Sequence, residues 1–255
     1  MIPVIFQIGP LPVNSFGLML VFCFLAAGRL FKLELEKRGA KGAFAEDALF
    51  WGAVSGIAGA RLLYMLNSGE PFSIADIFST GGFTFYGGFI LATCVVVAMA
   101  YRARLSVALV ADAVAPALAL GYAIGRVGCH LSGDGDYGVV TTVPWGFRYL
   151  LGVIPTDPAV YVHPTPAYET IMALLTVWIL QNFASRSKPI RSDGAVFGLY
   201  LVLSSCSRFF VEFLRIEPKV LAWASEAQVI ALPLVLIGLF LIFRECVFRA
   251  RFSGS

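Results

Sequence analysis

Long apolar runs separated by short polar breaks make up most of this chain. The runs cover about residues 16–31, 45–66, 107–124, 167–183, 195–213 and 227–243. A further run follows the block Gly81-Gly82-Phe83-Thr84-Phe85-Tyr86-Gly87-Gly88 and ends at Tyr101. Each approaches the roughly 20 residues that a helix needs to cross a bilayer. The pattern predicts an all-α, polytopic membrane bundle of seven transmembrane helices. Residues 1–12 are also apolar but are broken by Pro3, Pro10 and Pro12, and are too short to span. They are expected to lie along the membrane interface. This start lacks a basic region and a cleavage site, so no removable signal peptide is expected. The longest break, 128–164, is rich in Gly, Pro, Asp and aromatic residues and is read as the main extracytoplasmic loop region.

Composition agrees with this reading. Of the 255 residues 58% are hydrophobic and only 14% charged, against about 25% charged in soluble domains. No long polar linker divides the chain, so residues 1–255 are expected to form a single integral membrane domain. The net charge of +3 is small, which excludes nucleic acid as an expected partner. The breaks at 32–41, 102–104 and 186–191 and the tail after Phe243 carry most of the Lys and Arg. The opposite breaks carry only Arg148 and Lys219. Positive charge favours the cytoplasmic side, so the N-terminus is expected outside and the C-terminus in the cytoplasm. The five cysteines form no CxxC pair or His/Cys cluster, so neither zinc nor a disulfide framework is expected.

Five arginines lie in or at the ends of the runs: Arg29, Arg61, Arg126, Arg208 and Arg215. An arginine at the middle of a spanning helix costs about 2.5–3.5 kcal/mol on insertion scales. Several at similar depth make sense when they face a polar cavity. Guanidinium groups grip phosphate through paired hydrogen bonds, so the cavity suggests a phospholipid headgroup near the outer leaflet. Beside it runs Gly125-Arg126-Val127-Gly128-Cys129-His130-Leu131-Ser132-Gly133-Asp134-Gly135-Asp136-Tyr137-Gly138, read as a polar glycine-rich loop after Arg126. Its glycines, with Gly87 and Gly88, are expected to let the backbone approach an anion and donate N–H groups to it. Asp134 and Asp136 are too few for a calcium loop and are expected to cap or pair with the arginines, with no metal bound.

Three blocks then resemble the prolipoprotein diacylglyceryl transferase family. The stretch from Gly125 resembles the family's signature. His163-Pro164-Thr165-Pro166-Ala167-Tyr168-Glu169 resembles its His-Pro-x-x-x-Tyr-Glu motif, and Arg208-Phe209-Phe210-Val211-Glu212-Phe213-Leu214-Arg215 its Arg-x-x-Val-Glu-Phe-x-Arg motif. Gly59-Ala60-Arg61-Leu62-Leu63-Tyr64, Ser225-Glu226-Ala227-Gln228 and the early Val4-Ile5-Phe6-Gln7-Ile8-Gly9-Pro10 are similar to weaker blocks, in the same order.

The resemblance implies transfer of diacylglyceryl from phosphatidylglycerol to the lipobox cysteine of a prolipoprotein. The reaction would take place at the outer face of the bacterial cytoplasmic membrane, among membrane lipids, and needs no cofactor. By position, Arg126 would hold the lipid phosphate and Arg208 the phosphate or departing group. Tyr86 or His130 would assist the thiol, unless the base is dispensable. Substrate would be held by Arg126 with Arg61, Gly87, Gly88, Ser132, Gly133, Asp134, Gly138, His163, Tyr168, Glu169, Glu212 and Arg215. The chain departs from the family pattern at Tyr86, where many members have His, and at Cys129 and Ser132, which replace asparagines. Phe16 and Ser204 replace aromatic hydroxyls. Two other readings stay open: a phospholipid-binding relative without transfer, and an anion transporter.

Overall fold

A computed structural model of the chain describes residues 1–9, 11–68, 84–185, 194–216, 220 and 224–252. Gly81, Gly82, the charges at 186–191 and Lys219 lie outside the described residues. The apolar runs form α1 (Ser15–Lys37), α2 (Ala43–Ser68), α3 (Phe85–Arg102), α4 (Val107–Ser132), α5 (Thr165–Ser185), α6 (Ala195–Val211) and α7 (Glu226–Phe252). Among the described residues, five segments are long and apolar enough to cross a membrane: Ser15–Lys37, Ala43–Asn67, Val107–Ser132, Ala195–Leu214 and Glu226–Arg244. Large apolar side chains such as Leu25, Ile57, Phe89, Trp178, Leu236 and Phe243 face outward. A bundle with such a surface is a multi-pass membrane protein, whose exterior meets acyl chains rather than water.

Two expectations change. The segment before α1 contains two strands that the sequence pattern did not predict. Val4–Ile8 (β1) pairs antiparallel with Leu11–Asn14 (β2), and Gly9 takes a left-handed φ of +60° between the strands. The all-α bundle thus carries a small hairpin. It is tied to the end of α4 by the Ile2 amide, which donates to the Leu131 carbonyl at 3.1 Å. The second change concerns 125–132, which continue α4 as helix instead of opening a loop. Glycine disfavours helix by about 1 kcal/mol relative to alanine, but here close packing decides. A Cβ on Gly128 would lie 3.2 Å from Met19 and Phe16 of α1. The helix stops at Gly133, whose left-handed φ of +62° lets its amide reach back to the Cys129 carbonyl at 2.9 Å.

α4 packs against α1, α5 and α6, while α2 pairs with α3 and α7 with α6. In lipid there is little hydrophobic drive between helices, so small residues and internal polar contacts hold such pairs. Gly59 faces Gly87 and Gly56 faces Gly88 across the α2–α3 contact. A Cβ on Gly87 would strike the Gly59 carbonyl and Leu63. Gly198 and Gly238 do the same for α6 and α7.

The N-terminus of α6 begins at Gly194, which has no side chain to cap it. Asp112, fully buried in α4, supplies the acceptor instead. Its two carboxylate oxygens take the Gly194 and Phe197 amides, each at 2.8 Å. That contact and the α1–α4 core around Leu35 and Ala113 lie at one end of the bundle. Arg126, Glu169 and Arg208 lie at the other.

Gly87→Leu is expected to push α2 and α3 apart, costing about 1–3 kcal/mol and lowering the thermal midpoint in detergent. Gly17→Ala, in an open stretch of α1 with nothing near the added Cβ, is expected to leave that midpoint unchanged or raise it slightly.

Candidate active site

Glu169 sits in the second turn of α5, 1% exposed. α5 begins at Thr165-Pro166, where proline suits a first turn. The Thr165 hydroxyl donates to the Asp136 carbonyl at 2.6 Å and so ties the loop to the helix start. Three arginines from separate elements meet the Glu169 carboxylate. Arg208 Nη1 donates to Oε1 at 3.0 Å, Arg126 Nε lies 3.0 Å from Oε2, and Arg215 Nη1 lies 3.8 Å from Oε2. The Tyr122 hydroxyl, one turn before Arg126, donates to Oε1 at 2.6 Å, and its ring lies under the Arg126 guanidinium at 5.0 Å.

Two more acids complete the group. Asp136 accepts from Arg126 with one oxygen and from Arg215 Nη2 with the other at 2.7 Å. Glu212, in the 3-10 turn after α6, lies 3.2 Å from Arg208 Nη2 and 3.8 Å from Arg215 Nε. Three cations and three anions therefore balance in a largely buried cluster. The bend after α6 is what returns Arg215 to it. Gly138 and Arg215 form a short antiparallel bridge, and the Val139 amide donates to the Leu214 carbonyl at 2.8 Å. Burial alone would raise the Asp136 carboxyl. The Arg215 hydrogen bond and the Arg126 charge outweigh it and hold Asp136 below the usual carboxylate range.

Arg126 and Arg208 also line a cavity of about 540 Å³ that runs into the bundle. Tyr86, Tyr122, Tyr200, Thr176 and Ser204 give it hydroxyl groups, while Ala119, Ala173, Ala231, Ile230 and Leu234 give it apolar walls. It is cationic at one end and oily at the other. Each guanidinium carries five N–H donors, and the ion pairs described occupy only part of them.

Of the residues singled out in the sequence, the structure brings Arg126, Arg208, Arg215, Glu169 and Glu212 together, with Tyr86 on the same cavity wall. It gives others different work. Gly87 and Gly88 make the close α2–α3 contact. Gly133 ends α4, and the Gly138 amide donates to the His163 carbonyl at 2.8 Å. The Ser132 hydroxyl turns back to the Cys129 carbonyl at 3.2 Å. Asp134 accepts the Asp136 amide at 3.4 Å and shapes that turn. Arg61 lies over the Tyr64 ring at 5.4 Å, outside the cavity lining.

His130 lies outside the lining too. Its Nδ1 is 2.8 Å from the Tyr149 hydroxyl, among the rings of Phe147 and Tyr149. Tyr168 accepts from Trp145 Nε1 at 2.7 Å and lies 3.1 Å from His163 Nδ1, beside the cluster. Cys129, Asp134 and Asp136 offer possible ligand atoms within 4.8 Å of one another, but Asp136 is already held by two guanidinium groups, which disfavours a cation there. Tyr122 and Asp112 were missed in the sequence. The only signal for Tyr122 was its place four residues before Arg126, which puts both on one helix face.

Asp136→Asn is expected to lower stability at neutral pH by about 1–3 kcal/mol. The folded-state carboxyl titrates below the unfolded one, so this contribution is complete above the ordinary carboxylate range and is lost as pH falls through the depressed value. Denaturation measured from pH 7 to about pH 3 should therefore show the two proteins converging at the acid end.

A model of the prolipoprotein diacylglyceryl transferase family matches residues 3–244. The chain is 32% identical to the phosphatidylglycerol–prolipoprotein diacylglyceryl transferase of Aliivibrio salmonicida, over 94% of this chain and 86% of the relative. The enzyme of the same name from Aeromonas hydrophila is 32% identical, over 94% and 89%. That from Nitratidesulfovibrio vulgaris is 31% identical, over 94% and 93%. A match of this extent, on a membrane bundle whose motif arginines and motif glutamates meet in one cluster, establishes that the chain belongs to the prolipoprotein diacylglyceryl transferase family.

Proposed function

We propose that this chain transfers the diacylglyceryl group of phosphatidylglycerol to the lipobox cysteine thiol of prolipoproteins, the first step of bacterial lipoprotein maturation. The observation that carries the reading is the cavity with two guanidinium groups at one end and apolar walls at the other. A phospholipid has the same two-part character. The sulfur attacks the glyceryl carbon next to the phosphate, a C–S bond forms, and the C–O bond to phosphate breaks. Glycerol phosphate leaves with one more negative charge than the diester carried. Arg126 and Arg208 receive that charge where water is scarce, and fixed donors of this kind are worth about 3–4 kcal/mol each in transition-state stabilisation.

The acids have a part in this. Three guanidinium groups alone would repel one another and swing toward water. Glu169, Asp136 and Glu212 hold them at fixed positions before lipid arrives, so little reorganisation accompanies reaction. Arg215, nearly buried, is a positioning residue that anchors Asp136 and Glu212. The charge pattern supports an orientation with this end of the bundle at the extracytoplasmic face of the inner membrane. Lys32, Lys37, Arg38 and Arg102 lie at the opposite ends of their helices.

Transfer from labelled phosphatidylglycerol to a lipobox peptide tests the reading. The intact protein is expected to form the thioether, and Arg126→Ala and Arg208→Ala are each expected to lower turnover by about 10²–10³-fold with the protein still folded. Lipid binding without transfer by the intact protein would overturn it.

A further inference from the structure

We propose that Tyr86 and Glu226 act as a pair that takes the proton from the acceptor thiol, with Glu226 working through the Tyr86 hydroxyl. The inference rests on the transferase reading and names a group that reading leaves open. Tyr86 stands in the first turn of α3 and lines the cavity shared with Arg126 and Arg208. Its hydroxyl donates to Glu226 Oε1, in the first turn of α7. α3 packs on α2 and α7 on α6, so this hydrogen bond joins two helix pairs across the cavity wall.

The chemistry follows from where that hydrogen points. A phenol whose hydrogen is committed to a carboxylate presents its oxygen lone pairs to whatever lies on its other side. With a pKa near 10, tyrosine alone is a poor acceptor for a thiol proton. It accepts one only if its own proton leaves in the same step, and Glu226 provides the acceptor. As the thiol S–H bond breaks, that proton bonds to the Tyr86 oxygen, and the phenolic hydrogen passes to the Glu226 carboxylate. The sulfur pair then forms the C–S bond while the C–O pair leaves on phosphate. The Glu226 carboxyl afterwards returns its proton to water.

A second observation supports the geometry. The Ser225 amide donates to Gln228 Oε1 at 3.1 Å and the Gln228 amide to the Ser225 hydroxyl at 3.4 Å, a reciprocal cap on α7. Gln228 Nε2 also donates to the carbonyl of Phe209, the neighbour of Arg208, at 3.3 Å. Glu226 is therefore fixed relative to Arg208 at the N-terminus of α7. Ala227, the next residue, lines the cavity. On the other side, Tyr86 is seated by the Thr84 amide donating to the Ala60 carbonyl at 3.0 Å and by Gly87 against Gly59.

The test is the pH profile of kcat/KM for peptide acylation in the intact protein, Glu226→Gln, Tyr86→Phe and the double variant. Glutamine still accepts the Tyr86 hydrogen bond but cannot take its proton, so it separates clasp from relay. At about pH 6.5 each single variant is expected to be about 10²-fold slower, with the gap closing as pH rises past the thiol pKa of about 8.5. The double variant is expected to be no slower than either single one, as for groups acting as a unit. A Glu226→Gln profile that runs parallel to that of the intact protein, or coincides with it, would overturn the relay. No thioether from the intact protein at any pH would instead overturn the transferase reading, and this proposal with it.

Discussion

A buried carboxylate, Glu169, stands at the centre of the charge cluster at one end of this bundle. It has almost no contact with solvent, and arginines from α4, α6 and the turn after α6 surround it. They in turn stay inside the protein because the carboxylate and its two companion acids neutralise them. Removing one partner from a buried ion pair typically costs about 3–5 kcal/mol, since the other charge is left stranded. The group is thus mutually dependent, and no one member explains the rest.

The rest of the fold keeps those three arginine-bearing elements in register. Asp112 fixes the start of α6 against α4 at the far end, so Arg208 on α6 and Arg126 on α4 reach the same level on neighbouring helices. Gly128 lets α1 come close to α4 just past Arg126. The bridge from Gly138 to Arg215 folds the loop after α4 onto the turn after α6. Alanine and serine along the inner faces of α4 to α7 then leave the space that large side chains would have filled. Cavity and charge cluster are two consequences of the same packing.

Much of this was legible in the sequence, and the remainder was hidden for definite reasons. Hydropathy located each long helix among the described residues, because lipid demands long apolar segments with their backbone bonds satisfied internally. The expense of an arginine in such a segment pointed to Arg126 and Arg208. Helix ends were less legible. Glycines at 125 and 128 read as loop, yet both lie within α4, and α1 comes close to the helix at Gly128. The packing role of Gly87 and Gly88 was equally hidden, since a glycine for close helix packing and a glycine for an anion look identical in one sequence. His130 drew attention as one of only two histidines, but rarity carries no geometry, and its contacts are aromatic. Asp112 and Tyr122 gave little signal because each acts on a partner far away in sequence.

The central claim is that Glu169 holds Arg126 and Arg208 together so that both meet one lipid phosphate. An experimental structure with phosphatidylglycerol bound measures this most directly. The phosphate is expected within hydrogen-bonding distance of both guanidinium groups while each remains paired with Glu169. A headgroup bound elsewhere, or one that draws either arginine away from Glu169, would contradict the account.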